Sequence, residues 1–199
     1  MDKNTLLKMI AETGYNVGFG AKKHFATYDI VEKSPGWIGI LSMAVGIFAL
    51  FIDNISNNKI LSALITILGV GGLYISFYND KKDSYNTKAV EILKLFNKLK
   101  SLYYRVQSSQ SQDLTAEHTE LQAIENDFYS LAITKQIFLS DWYAHIKFFW
   151  QHQIEWVDEQ KKFKFLRDKV PLSAHVTVVI VLATGIYLAI PTISTLWCQ

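Results

Sequence analysis

Residues 36–78 read GWIGILSMAVGIFALFI, then DNISNNK, then ILSALITILGVGGLYISFY. Two apolar runs, of seventeen and nineteen residues, flank seven polar ones, and neither run carries a charge between its ends. A helix needs ~20 apolar residues to cross ~30 Å of hydrocarbon, so each run comes close to a full span. Trp37 opens the first run, and Tyr74 and Tyr78 close the second, where amphipathic rings favour the headgroup zone. A connector this short forces two helices to lie antiparallel and in contact. The pattern predicts a transmembrane hairpin. The competing reading, a helical hairpin inside a soluble domain, needs both runs to be covered by protein.

Working outward, half of the 199 residues are apolar and the net charge is only +2. That balance conceals segregation, because charges avoid three windows and crowd the rest. The third window runs from Leu172 to Trp197, interrupted only by small or hydroxyl residues, His175 and Pro191. A third span is expected there. The first thirty-five residues lack the apolar core of a signal peptide. Of twenty lysines and arginines, only Lys59 lies in the hairpin turn and none follows the third window. The positive-inside rule then puts the N-terminus and residues 79–170 in the cytoplasm, with the turn and the C-terminus outside. Lys81, Lys82, Lys161, Lys162, Lys164, Arg167 and Lys169 sit near membrane ends, where anionic lipid accounts for them better than nucleic acid does. The single cysteine, Cys198, cannot close an intrachain disulfide and is expected to be a bystander thiol rather than a link between subunits.

Residues 1–35 mix polar and apolar positions and are expected to form a helix at the inner membrane surface. Gly14, Gly18 and Gly20 suggest a phosphate loop, but that motif requires GxxxxGK followed by Ser or Thr, and here Lys22, Lys23 and His24 follow Gly20-Ala21. Lys22 and Lys23, with Phe19, Phe25 and Tyr28, suit an interfacial helix. Ser34-Pro35-Gly36 is expected to end that helix before the first span. Within the hairpin, small and hydroxyl residues recur at helical spacing. They are Gly39, Ser42 and Gly46 in the first run, and Ser62, Thr66, Gly69, Gly72 and Ser76 in the second. Close helix packing explains such a stripe, and lining a weakly polar pathway in an oligomer is the compatible alternative. No ionisable residue lies inside a span, apart from His175 and Asp53 at the margins, which argues against a proton-coupled transporter.

Beyond the hairpin, Val90, Leu93, Phe96, Leu99 (or Leu102), Tyr103 and Val106 form an apolar face on a predicted helix, and SSQSQD at 108–113 reads as a turn. From Leu114 onward every seventh residue is Leu114, Leu121, Phe128, Lys135, Trp142, Phe149, Trp156, Phe163 and Val170. A heptad this long predicts one continuous helix of ~85 Å, packed on the preceding helix and on other subunits as a coiled-coil-like stalk. The companion positions turn polar at His145, His152 and Glu159, which fits register setting or ligand sensing. A metal site is the weaker option, because the two histidines are ~10 Å apart along one helix. Asp141, Glu155 and Asp158 read as solvated helix residues. No GxSxG, HExxH or CxxC motif is present, so no catalytic residue, metal or cofactor is expected.

The hairpin followed at once by a basic amphipathic helix resembles the SLATT membrane effectors of bacterial conflict systems. The resemblance is carried by Pro35-Gly36-Trp37, the DNISNNK turn, and the second run leading into NDKKDSYNTKAVEILKLFNKLK. GFGAKKHFATYDI and DWYAHIKFFWQHQIEW resemble a subgroup with a further C-terminal span. This resemblance implies a homo-oligomeric effector that breaches the inner membrane upon phage infection. Its implied neighbours are nucleotide-messenger synthases, nucleotide-sensing domains or reverse transcriptases. The fold expected from all of this is an all-α membrane protein: an interfacial segment at 1–35, a hairpin at 36–78, a stalk at 79–170, and a third span at 171–199. A membrane-anchored scaffold that recruits a partner without conducting ions is the main alternative, and a membrane-embedded enzyme lacks any supporting motif.

Overall fold

The computed structural model describes the backbone of residues 2–197, with side chains through residue 187. Every regular element among the described residues is helical. Two units form, Met1–Lys161 and Lys162–Gln199. In the first, α1 (Lys3–Phe51) passes through a single turn of helix, α2 (Asp53–Ser56), into α3 (Lys59–Ser76). A 3-10 turn (Asn79–Lys81) then leads to α4 (Lys82–Ser108), and α5 (Thr115–Leu131), α6 (Ser140–Gln151) and α7 (Glu155–Lys161) complete the unit.

α1 begins where Asp2 accepts a bond from the Thr5 N–H, an N-cap that satisfies one orphan donor of the first turn. It then continues for 49 residues, with Pro35 inside it. The expected stop at Ser34-Pro35-Gly36 does not occur. Proline costs a helix one backbone bond, yet a long helix tolerates this where packing fixes the segments on both sides. Here different partners hold the two halves. The N-terminal half of α1 is clamped by α4 and α6, and the C-terminal half lies along α3.

The N-terminal half is also not an interfacial helix. Leu6, Leu7, Ile10, Ala11, Gly14, Val17 and Ala21 are buried at steps of one, three or four, forming one apolar stripe. Against it α4 lays Tyr85, Ala89, Ile92, Leu95, Phe96, Leu99, Leu102, Tyr103 and Val106. Each fully buried Leu, Ile or Phe side chain contributes ~1.5–3 kcal/mol relative to exposure, which makes this pairing the core of the bundle. The helices run antiparallel, with Lys3 bonded to the carbonyls of Gln107 and Ser109 at one end and Glu32 paired with Lys82 at the other. Of the predicted α4 face, Phe96, Leu99, Leu102, Tyr103 and Val106 are buried, while Val90 is exposed and Leu93 only half-buried.

The ~85 Å stalk helix expected after Leu114 is replaced by short helices that fold back on α1. The first break, at 132–139, falls where Lys135 interrupts the apolar series. Continuing the helix would have pointed an ammonium into the seam, whereas the break sets it over the Tyr78 ring, 5.4 Å from the centroid. Leu139, in the left-handed conformation, restarts the helix (φ 68°), and a second left-handed residue, Lys162 (φ 51°), follows the end of α7.

The second unit holds α8 (Phe165–Asp168) and α9 (Leu172–Trp197). The third apolar window is thus helical, and its side chains through Tyr187 are largely exposed. Phe163 falls in this unit, and Arg167 pairs with Asp168. Cys198 lies outside the described residues.

Candidate functional site at the foot of the hairpin

In the first unit, the apolar hairpin and the extramembrane bundle meet at one place. The α3 helix buries no residue, and Trp37, Met43, Phe48, Ile60, Ile67 and Leu73 are all exposed. A protein core would have covered them; a bilayer leaves them bare by the measure of protein contact. Within this chain the hairpin is therefore not covered as a soluble core would be. Between its helices the close approach is Ile38 to Gly72, where an added Cβ would meet Ile38 Cδ1 at 3.7 Å. At Gly39, Gly46 and Gly69 an added Cβ meets nothing within 4 Å. Ser62, Thr66 and Ser76 spend their hydroxyls on their own helix, donating to the carbonyls of Asn58, Ser62 and Leu73. Of these stripe residues, Gly72 packs within the chain, while Gly39, Gly46, Gly69 and the exposed Ser62, Thr66 and Ser76 face outward; Ser42 is half-buried.

At the foot of the hairpin the 132–139 connector wraps onto α1, α3 and α4 as a collar. His24 organises its first part. Its Nδ1 bonds the Gly20 carbonyl at 2.7 Å, so that nitrogen carries the proton, and its Nε2 accepts the Ile133 N–H at 2.9 Å. The imidazole is therefore neutral, and burial pulls its pKa below 6.5 against the opposing bond to Gly20, with a smaller push in the same direction from Lys23. Thr27 donates to the Gln136 side-chain oxygen at 2.5 Å, and Gln136 returns a bond to the Ile133 carbonyl at 2.6 Å. The Tyr85 hydroxyl donates to the Lys135 carbonyl. On the hairpin side, Tyr78 donates to the Gln136 carbonyl at 3.4 Å, and the Phe138 N–H donates to the Tyr74 hydroxyl at 3.3 Å. Beneath these bonds Val31, Tyr78, Tyr85 and Ile137 form a small apolar cluster of their own.

Ion pairs ring this collar. Asp29 takes both Lys33 and Lys147 at 2.6 Å; burial pushes its carboxyl up, but the two ammonium bonds outweigh it and hold the pKa below 3.8. Lys82 pairs with Glu32 at 2.6 Å and Lys23 with Asp141 at 2.7 Å. Lys22 and Lys161 lie over the rings of Phe25 and Tyr15. Several lysines expected to face lipid are therefore engaged inside the bundle, whereas Lys81, Lys162 and Lys164 are exposed.

The residues expected to form the stalk interface are mostly spent within the chain. Trp156 is 1 % exposed and packs at a tilt against Phe96 and Tyr103. Leu121 is fully buried, Phe128 covers Gly20, and His145 meets Phe19 and Phe149. His152 lies against Phe96, and burial, then Lys22 and Lys100, press its pKa to about 4 despite the opposing Glu155. It is neutral at physiological pH and sits in an apolar seam. No group of three or more potential metal ligands gathers among the described residues. The outward face of α6 carries Trp142, Ile146 and Trp150 at steps of four, opposite the buried Ser140, Ala144 and Phe148. The collar itself escaped the sequence reading, although Lys135 in an otherwise apolar series marked the spot.

A lipid-exposed helical hairpin rooted in a compact helical bundle defines a small all-α membrane protein. The family model described as SMODS and SLOG-associating 2TM effector domain 6 matches residues 1–178, and the chain belongs to that family. Comparison with curated proteins and with solved structures finds no match.

Proposed function

We propose that this chain is the membrane-breaching effector of a bacterial antiphage conflict system. It sits in the inner membrane with its N-terminus and residues 79–170 in the cytoplasm and its C-terminus outside. α9 provides a third span, and Lys81, Lys162, Lys164 and Lys169 meet anionic lipid. A signal of nucleotide type, delivered by a partner of the SMODS or SLOG kind that the family's name implies, acts on the bundle. The collar passes that signal to the hairpin, and several copies then assemble into a pathway through the bilayer. Gly39, Gly46, Ser62, Thr66, Gly69 and Ser76 pack between copies or line that pathway. Trp142, Ile146 and Trp150 provide the bundle's contact between copies, a role that the buried Trp156 cannot fill.

The observation that carries this reading is the collar. It is bonded at once to the bundle through His24, Thr27 and Tyr85 and to the hairpin through Tyr74 and Tyr78. A voltage-sensitive dye in bacteria induced to make the chain tests it. Gln136→Leu, which loosens the collar, is expected to raise depolarisation over the parent, and Ser62→Leu with Thr66→Leu and Ser76→Leu to abolish it. A steady potential in every variant at confirmed membrane expression contradicts the reading. The same exposed α6 stripe also favours a second reading, a membrane-anchored scaffold. In that case unrelated spans replace the hairpin without loss of function.

A further inference from the structure

Between α1, α3 and the collar lies an apolar groove of 480 Å³. Ile38, Leu41, Leu68 and Gly71 line it, together with the hydroxyl-bearing Ser34 and Tyr74 nearer the collar. Along α3 it extends from Ile67 to Ile75, which at 1.5 Å per residue is ~12 Å. One leaflet contributes about half of the ~30 Å hydrocarbon layer, so the groove is roughly one leaflet deep. It opens onto the same face of the hairpin that is bare of protein, and its polar end lies at the level of Trp37 and Tyr74, where headgroups begin.

The collar forms the wall at that polar end. Phe138 and Leu139 both line the groove and both remain exposed, and Leu139 is held in the left-handed region at φ 68°. A leucine adopts that conformation only where its surroundings over-determine it, and such strain is concentrated at ligand clamps and switches. Here the turn is pinned from the hairpin side by the bond from the Phe138 N–H to Tyr74.

We propose that this groove is a binding site for one acyl chain of a phospholipid from the leaflet on the collar's side, with Phe138 and Leu139 closing over it. Its shape, depth and polarity match a single chain entering from that leaflet, and its continuity with the lipid-facing hairpin supplies the route of entry. The inference rests on the hairpin's place in the bilayer and not on pore formation, so the two fail separately.

Gly71 supplies the test, because an added Cβ there meets nothing within 4 Å although the residue lines the groove. Gly71→Leu starts its side chain in open space and adds bulk at the groove wall. Ala63→Leu, on the same helix, exposed and outside the groove, is the control. The full chain is taken from nanodiscs of palmitoyl-oleoyl phosphatidylglycerol into mild detergent, and retained phospholipid is counted by native mass spectrometry. The parent and Ala63→Leu are expected to keep one phospholipid per chain. Gly71→Leu is expected to lose it about tenfold or more readily, as when a chain loses roughly two methylenes of burial. Equal retention in all three, or none in the parent, overturns the site. A Gly71→Leu change in subunit number at unchanged lipid count also overturns it and assigns the groove to a second copy.

Discussion

Gly14, Gly18 and Gly20 form no phosphate loop, because each is the floor under an aromatic ring. A Cβ at Gly14 would stand 2.3 Å from Trp156 Cη2, one at Gly18 2.8 Å from Phe96 and 2.9 Å from Phe148, and one at Gly20 2.7 Å from Phe128. Two of these rings, Phe128 and Trp156, belong to the series read as a stalk seam, so two features noted separately in the sequence are halves of one contact. Spacing within one segment exposes the rings and the glycines, but no periodicity pairs Gly14 with Trp156, 142 positions further on. Gly14→Ala is therefore expected to cost ~1–3 kcal/mol by overpacking, and Trp156→Ala ~3–5 kcal/mol by leaving a cavity. Thermal unfolding followed by circular dichroism measures both. Light scattering should find Trp156→Ala unchanged in subunit number, whereas a smaller assembly would restore this tryptophan to a subunit interface. The buried histidines add a pH dependence. His152 has its pKa pressed from 6.5 to about 4, so the unfolded chain binds the proton more readily. Its contribution to stability is present above pH 6.5 and lost as the pH falls from 6.5 towards 4. Facing it are Lys22, Lys100 and Glu155, of which the lysines dominate. A His152→Phe variant is expected to lose less stability than the parent between those values, and a parallel decline in both would contradict this.

At the scale of elements, the hairpin was legible because hydropathy and length alone decide it. The breaks in the second half of the chain were not, because a heptad pattern persists whether a helix runs on or is cut and folded back against another element. Lys135 was the one residue that departed from the series, and the chain turns there. Pro35 misled in the opposite sense, as tertiary packing on either side overrides its local penalty. Pro35→Ala is expected to restore the backbone bond to Val31, raise the unfolding temperature and stiffen the joint between bundle and hairpin. If motion through that joint serves activity, depolarisation falls as stability rises. A variant that is less stable than the parent would show that Pro35 is packed rather than tolerated.

At the scale of the molecule, the Met1–Lys161 unit joins a bundle with a conventional core to a hairpin without one. Such a division suits a protein that receives a signal on one side of an interface and acts on the other. The class of the chain could be read from the sequence, through the two spans and the basic helix that follows them. The site could not, since the collar draws on residues 24, 27, 74, 78, 85 and 133–138, which only the fold brings together. The most direct measurement is the conductance of the purified chain in a planar bilayer, for the parent, Gln136→Leu, and Gln136→Leu combined with leucine at Ser62, Thr66 and Ser76. The account predicts discrete conductance steps that are more frequent in Gln136→Leu and absent from the combined variant. Inserted protein that leaves the bilayer silent in all three would contradict it and leave the hairpin as an anchor.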